Sequence, residues 1–213
     1  MPNKTLVGKY LDELSPAAEL CGAVNTIVNE DGKLVGHITD GIGFVRNLKE
    51  NGVDIKGKKM VVLGAGGAAT ALTVQCALDG AASIAIFNPN DPFLDRAKGT
   101  AEKLAKEVPD CKVSVYCLDD QDKLKEEMHS SYLFTNATGV GMKPLEGITY
   151  IPDPSFFRPD LIVTDVVYAP HETAMLKMAR HAGCKTMNGQ GMMLFQAIAA
   201  IELILGKRVD SEY

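Results

Sequence analysis

Apolar positions along the chain come in short runs broken by glycine and asparagine, and their period changes with position. Residues 23–28 and 33–38 are β-rich runs flanking Asn29-Glu30-Asp31-Gly32. Asp-Gly between two such runs predicts a hairpin. Phe44, Val45 and Leu48 then form an apolar helical stripe, which predicts a helix over 41–51 stopped by Gly52. From residue 59 onward strands and helices alternate: strand 60–63, a helix to about 79, strand 83–87, helix 93–107, strand 112–117, helix 121–129 and strand 133–136. Strand 161–165, a helix over 172–182 ended by Gly183 and a last helix over 192–205 complete the pattern.

Alternation of this kind predicts an α/β fold with a mostly parallel sheet covered on both faces. The first forty residues do not fit it and read as part of a second unit. Composition narrows the partners. The 213 residues carry 22 basic and 27 acidic side chains, a formal charge of −5, with no dense Lys/Arg cluster, so nucleic acid is not an expected partner. A hydrophobic content of 46% is too high for a disordered chain. Cys21, Cys76, Cys111, Cys117 and Cys184 lack metal-ligand spacing and read as reduced thiols. The four histidines show no metal spacing either, and no metal is expected. Residues 60–78 are uncharged, but Gly64, Gly66 and Gly67 break them into strand, turn and helix, so no membrane association is expected. The chain reads as cytoplasmic.

Gly64-Ala65-Gly66-Gly67-Ala68-Ala69 follows the first strand of the alternating region and opens a helix. It fits G-x-G-x-x-[G/A], in which one glycine permits the turn, the next admits a pyrophosphate and the small third position lets helix pack on sheet. Phosphates would meet N–H groups at the positive end of the helix. The second strand ends in Phe87-Asn88-Pro89-Asn90-Asp91, with no cation before Arg96. Asp91 suits a ribose diol and repels a 2′-phosphate, so NAD is expected over NADP. The competing reading is that Asp91 only starts the next helix.

Other candidates stand alone in sequence. Lys4 lies at the N-terminus, and Asp40, in Thr39-Asp40-Gly41, reads locally as a helix N-cap. Asn25 is polar within an apolar run and needs a partner. Gln196 interrupts an almost wholly apolar helix, and Tyr168 follows a strand end, where parallel sheets collect ligands.

Taken together the chain resembles the shikimate/quinate dehydrogenase family. The resemblance rests on Met1-Pro2-Asn3-Lys4, Gly22-Ala23-Val24-Asn25-Thr26, Thr39-Asp40-Gly41, the glycine turn and Asn136-Ala137-Thr138-Gly139-Val140-Gly141-Met142. It continues through the stretch 165–170 and Gly189-Gln190-Gly191-Met192 to Gln196. It implies reversible hydride transfer between a nicotinamide and a ring hydroxyl of shikimate or quinate, a step of aromatic amino-acid biosynthesis. Lys4 matches the catalytic lysine and Asp40 its partner; Asn25, Tyr168 and Gln196 match substrate-binding positions. Gly64, Ala65, Gly66, Gly67, Ala68, Asn88 and Asp91 match the cofactor's phosphate and ribose positions. Asn136, Thr138, Gly139 and Val140 match the loop along the cofactor, and Gly191 and Met192 match positions near the nicotinamide. A Rossmann-type, doubly wound domain is expected over 41–188, with 1–40 and 189–213 as the remnant of an α/β substrate domain.

Ile38 stands where the family usually has Asn, and Pro89 where NADP-dependent members usually carry Arg. Members also carry further residues before Met-Pro-Asn-Lys, so the resemblance implies an N-terminally truncated chain. A sheet lacking strands leaves open edges, and residues 1–40 are expected to be loosely ordered or paired with another chain. The alternatives are a cofactor-binding module without turnover and a relative acting on another polyhydroxylated acid. A homodimer is left open.

Overall fold

The computed structural model describes residues 2–209; the Met1 of the N-terminal motif lies outside them. Two sheets share the chain. The smaller contains β1 (Glu13–Leu14), β2 (Thr26–Glu30) and β3 (Lys33–His37) in the order β1-β3-β2. β2 and β3 pair antiparallel around the Asp31-Gly32 turn, as Asp-Gly requires: Asp31 has φ 51° and Gly32 φ 94°. β1 adds parallel to β3. Between β1 and β2 lies α1 (Pro16–Cys21), which the hydrophobic pattern does not announce. Its local signals are nonetheless present. Ser15 Oγ accepts from Ala18 N, Pro16 opens the first turn, and Gly22 closes it at φ 60°. Within residues 1–40, expected to be loosely ordered or paired with another chain, β1, α1, β2 and β3 are regular elements, with Ala17, Ala18 and Val24 buried.

Next comes α2 (Asp40–Glu50), with Thr39 rather than Asp40 at its N-cap position. The larger sheet then builds from β4 (Lys59–Leu63), α3 (Gly67–Leu78), β5 (Ser83–Asn88), α4 (Pro92–Glu107) and β6 (Lys112–Cys117). The second half adds α5 (Gln121–His129), β7 (Leu133–Asn136), β8 (Ile162–Asp165), α6 (Ala174–His181) and β9 (Lys185–Met187), followed by α7 (Gln190–Leu205). α6 starts two residues later than expected because Thr173, whose hydroxyl accepts from Leu176 N, is the cap. The edge strand β9 was not expected: three residues show no period.

All pairs in this six-stranded sheet are parallel, in the order β6-β5-β4-β7-β8-β9. The order reverses between β4 and β7, so a crevice opens at their carboxyl ends. Met60, Val61, Val62 and Leu63 of β4 are all buried, because helices cover both faces.

Helix α2 is wedged between α3 and α7, and two glycines make the fit. A Cβ on Gly41 would lie 2.4 Å from Ala71 O, and one on Gly43 2.5 Å from Gln196 N. Bare backbone at both positions lets the helices approach, and Arg46 of α2 bonds both oxygens of Glu202 on α7. This wedge carries Asp40 and Gln196 to one place. Among the described residues no helix is long and apolar enough to cross a membrane.

Candidate active site

A cavity of about 620 Å³ opens between the two sheets, with Lys4, Asp40, Tyr168 and Gln196 on its wall opposite the helix start at Gly67 and Ala68. A second cavity of about 870 Å³ adjoins it and shares Gly67, Ala68 and Tyr168. Together they make one cleft along the carboxyl ends of β4, β7 and β8.

Lys4 sits in a short 3-10 turn, Pro2–Thr5, whose carbonyl at Lys4 accepts from Val24 N at 2.8 Å. That bond pins the turn to the Gly22–Val24 segment. Lys4 Nζ donates to Asp40 Oδ2 at 2.8 Å, with both side chains partly exposed to the cavity. The pair joins residues 36 apart in sequence.

Asn25 is half-buried. Its Oδ1 accepts from Thr39 N at 3.0 Å, Thr39 Oγ1 at 3.2 Å and Thr26 Oγ1 at 3.0 Å. Thr39 is fully buried, and its one hydroxyl hydrogen is shared between Asn25 Oδ1 and Gln196 Oε1, the latter at 3.3 Å. The sequence reading missed Thr39 as a functional position. Thr39, which immediately precedes Asp40, links Asn25, just ahead of the small sheet's β2, to Gln196 of α7 through uncharged bonds. Ile38 is buried in the core and also lines the cavity, so the wall beside Asp40 is apolar there.

The glycine turn has the shape a dinucleotide needs. Gly64, at φ 109°, would place a Cβ 2.9 Å from Thr138 Cγ2 and 3.0 Å from Ala137 O. Only glycine permits that backbone and that approach to the end of β7. Gly66 and Gly67 have open space where a Cβ would stand, and they begin α3. Ala65 and Ala69 are buried beneath the turn. Free N–H groups at a helix start with room above them fit a pyrophosphate.

Asn136, at the end of β7, works from below. Its Nδ2 donates to Val140 O and to Asp165 Oδ1, and its Oδ1 accepts from Thr138 N and Oγ1. Thr138 and Gly139 reach the cleft wall, while Val140 is buried. Asp165, read as a strand end at the head of the 165–170 stretch, anchors the loops after β7 and β8. Oδ1 accepts from Asn136 and Val167 N, and Oδ2 accepts from Thr173 Oγ1.

Burial pushes the Asp165 carboxyl up to about 6, against the pull of those three bonds. The folded chain therefore holds a proton between about pH 4 and 6 that the unfolded chain releases. The stability this contributes is complete below about pH 4 and is lost as pH rises through about 6, by roughly 3 kcal/mol. Asp165→Asn flattens this part of the profile, measured by urea unfolding across that range; an unchanged slope would assign it to other groups.

Asp91 is the N-cap of α4. Its Oδ1 accepts from Phe93 N at 2.9 Å and from Asn88 Nδ2 at 2.8 Å. Of the two positions placed near the nicotinamide, Met192 lines the cavity, and Gly191 faces α2 instead. A Cβ there would meet Asn47 Oδ1 at 1.9 Å. Gly189 is on the cavity wall beside Met192. Among the described residues no group of three or more His, Cys, Asp or Glu is placed to hold a metal ion.

A doubly wound sheet with this glycine turn, facing a lysine–carboxylate pair across a cleft, defines a nicotinamide dinucleotide-dependent oxidoreductase. The chain is 54% identical over 213 residues to shikimate dehydrogenase (NADP(+)) of Listeria monocytogenes, spanning all of this chain and 73% of that protein. It therefore belongs to the shikimate/quinate dehydrogenase family. The crystal structure of shikimate 5-dehydrogenase from Listeria monocytogenes in complex with shikimate and NAD is 55% identical, with a TM-score of 0.96, covering 98% of this chain and 72% of that one. Quinate dehydrogenase from Corynebacterium glutamicum in complex with NAD is 33% identical, with a TM-score of 0.85, over 98% of this chain and 72% of that one. No family model matches the sequence.

Proposed function

We propose that the chain interconverts shikimate and 3-dehydroshikimate, or quinate and 3-dehydroquinate, with NAD preferred over NADP. The observation that carries this is the Lys4–Asp40 pair on the wall of the cavity that also holds the helix start at Gly67 and Ala68. A nicotinamide dinucleotide held at the glycine turn would supply the hydride acceptor in oxidation and the hydride donor in reduction. In its neutral amine form Lys4 Nζ takes the hydroxyl proton as the carbonyl forms, and the ammonium so made gives it back in reverse. Asp40 orients Nζ and neutralises its charge. Asn25, Gln196 and Tyr168 bond substrate hydroxyls, with Asn25 Oδ1 also holding Thr39.

Gly64, Ala65, Gly66, Gly67 and Ala68 hold the pyrophosphate, Asn88 and Asp91 the adenosine ribose, and Asn136, Thr138, Gly139 and Val140 shape the loop along the cofactor. Met192 and the backbone near Gly191 border the nicotinamide. Residues 41–188 act as the dinucleotide domain, and 1–40 with 189–213 contribute the substrate side. The separate small sheet and the cleft between the sheets support that division.

Appearance of reduced nicotinamide absorbance with NAD or NADP and shikimate or quinate, run beside a direct cofactor titration, tests the reading. Turnover supports it. Cofactor binding without turnover reduces the chain to a binding module, and turnover only with another polyhydroxylated acid reassigns the substrate.

Cofactor choice rests on Asp91. A 2′-phosphate at the end of β5 would face this carboxylate, and two unit charges about 4 Å apart repel by roughly 4 kcal/mol at an effective dielectric of 20. Pro89 offers no cation in compensation. Asp91→Ala is expected to shift the NAD/NADP affinity ratio about tenfold toward NADP, and to cost about 1 kcal/mol through the lost cap. An unchanged ratio with the cap penalty present would make Asp91 a helix cap alone.

A further inference from the structure

We propose that the chain holds a second binding site, at the start of α7, which takes the carboxylate of a small organic acid. The site is a polar cavity of about 340 Å³. It is lined by Asn47 and Asn51 of α2, His171 and Glu172 ahead of α6, Thr186 of β9 and Gln190 of α7. It shares no lining residue with the two cavities of the cleft, so it stands apart from the site described above and from the cofactor reading.

The helix supplies a positive end. α7 runs for 16 residues, and Met193 N is the first to find its acceptor one turn back, at Gly189 O. The N–H groups before it need acceptors from elsewhere. Asn188 Oδ1 accepts from Gln190 N at 3.1 Å. Among the described residues nothing accepts from Gly191 N, and Gly191 lines the cavity.

Asn47 is the independent sign of a ligand. It is only 7% exposed, and its amide lies against the first turn of α7: a Cβ on Gly191 would stand 1.9 Å from Oδ1 and 3.0 Å from Nδ2. Oδ1 accepts from Asn51 Nδ2 at 3.2 Å, whereas Nδ2 has no acceptor among the described residues. A buried amide donor is costly to leave unpaired, and this one opens onto the cavity.

The wall also selects the ligand. Asn47 Nδ2, Gln190 Nε2, Gly191 N and the Thr186 hydroxyl are uncharged donors, and no Lys or Arg lines the cavity. The Glu172 carboxylate is taken up by Arg180, whose Nε donates to it at 2.7 Å. Uncharged donors at a helix start satisfy one carboxylate. A phosphate dianion would meet no cation on this wall and would face Glu172.

NMR titration of the whole ¹⁵N-labelled chain at constant ionic strength, with sodium acetate, sodium phosphate or sodium chloride, tests the site. Acetate is expected to move the Gly191 amide and the Asn47 side-chain signals together and saturably, with a dissociation constant on the order of millimolar for so small a ligand. Asn47→Asp puts a carboxylate oxygen in place of Nδ2. It is expected to weaken acetate about tenfold and to raise the urea midpoint, because the helix start then holds an anion of its own. Gln190→Ala, at an exposed position, is expected to weaken acetate about threefold and serves if the Asn47 variant does not fold. No saturable shift, or equal shifts with chloride, overturns the site. Phosphate binding tighter than acetate overturns the carboxylate assignment. Unchanged acetate affinity in Asn47→Asp, or in Gln190→Ala where the first does not fold, removes this cavity as the place of binding.

Discussion

Lys4→Ala is expected to lower turnover by about three orders of magnitude and to leave the dissociation constant for NAD unchanged. The size follows from the role: a positioned proton-transfer group contributes about 10²–10⁴-fold, and the Lys4 ammonium is the cation paired with Asp40 at 2.8 Å. Stability changes little, because the pair is partly solvated, 28% and 21% exposed, and such pairs contribute at most about 1 kcal/mol. Lys4→Arg separates charge from proton transfer. Guanidinium keeps the contact with Asp40 but does not release its proton near neutral pH. It should restore the ion pair without restoring turnover. Loss of NAD affinity together with turnover would make Lys4 a structural residue, and full activity in the Ala variant would remove it from the chemistry.

Gly189→Ala is the most damaging single methyl group expected in the fold. A Cβ at this position would lie 2.0 Å from Val166 O and 2.5 Å from Val166 C. Both neighbours are backbone, so no side-chain rotamer relieves the clash. Gly189 N also donates to Val167 O at 3.0 Å, which couples the start of α7 to the segment after β8. Its φ of −76° is open to any residue, so the cost is steric and not conformational. Overpacking of this kind costs about 1–3 kcal/mol, and a contact to fixed backbone belongs at the upper end. The displaced segment carries Val166 and Tyr168 of the cavity wall, so affinity for substrate should fall with the unfolding midpoint. Urea unfolding and steady-state kinetics on the same preparation check both; a midpoint within error of wild type would show that the α7 junction yields.

The strength of the small-sheet network bears on the same site. Lys4 is held by Val24, Asp40 begins α2, and α2 packs closely through Gly41 and Gly43, so the placing of the Lys4–Asp40 pair depends on that packing. Ile38 in place of a polar residue adds to that dependence, since positioning falls to Thr39 and Asn25.

The sequence by itself determined the repeating part of the fold and the chemistry of its first turn. β6, α5 and β7 occupy the expected residues because strand runs and helical stripes are set by local periodicity, and the Asp31-Gly32 and Gly64–Gly67 turns by backbone freedom. Elements with little or no periodic signal were not legible. β1 has two residues and β9 three, and each exists because a neighbouring strand offers a ladder. Only the tertiary structure decided which isolated polar residues meet. Lys4 and Asp40, or Thr39 and Gln196, are far apart in the chain and come together through the glycine-lined wedge of α2. It also decided that Asn25 bonds Thr39, that Asp165 bonds Asn136 and Thr173, and that Asp91 caps α4. The reason is the range of the forces: hydrogen-bonding patterns along one segment can be read from its residues, whereas burial, desolvation and charge pairing depend on surfaces that exist only after distant segments have packed.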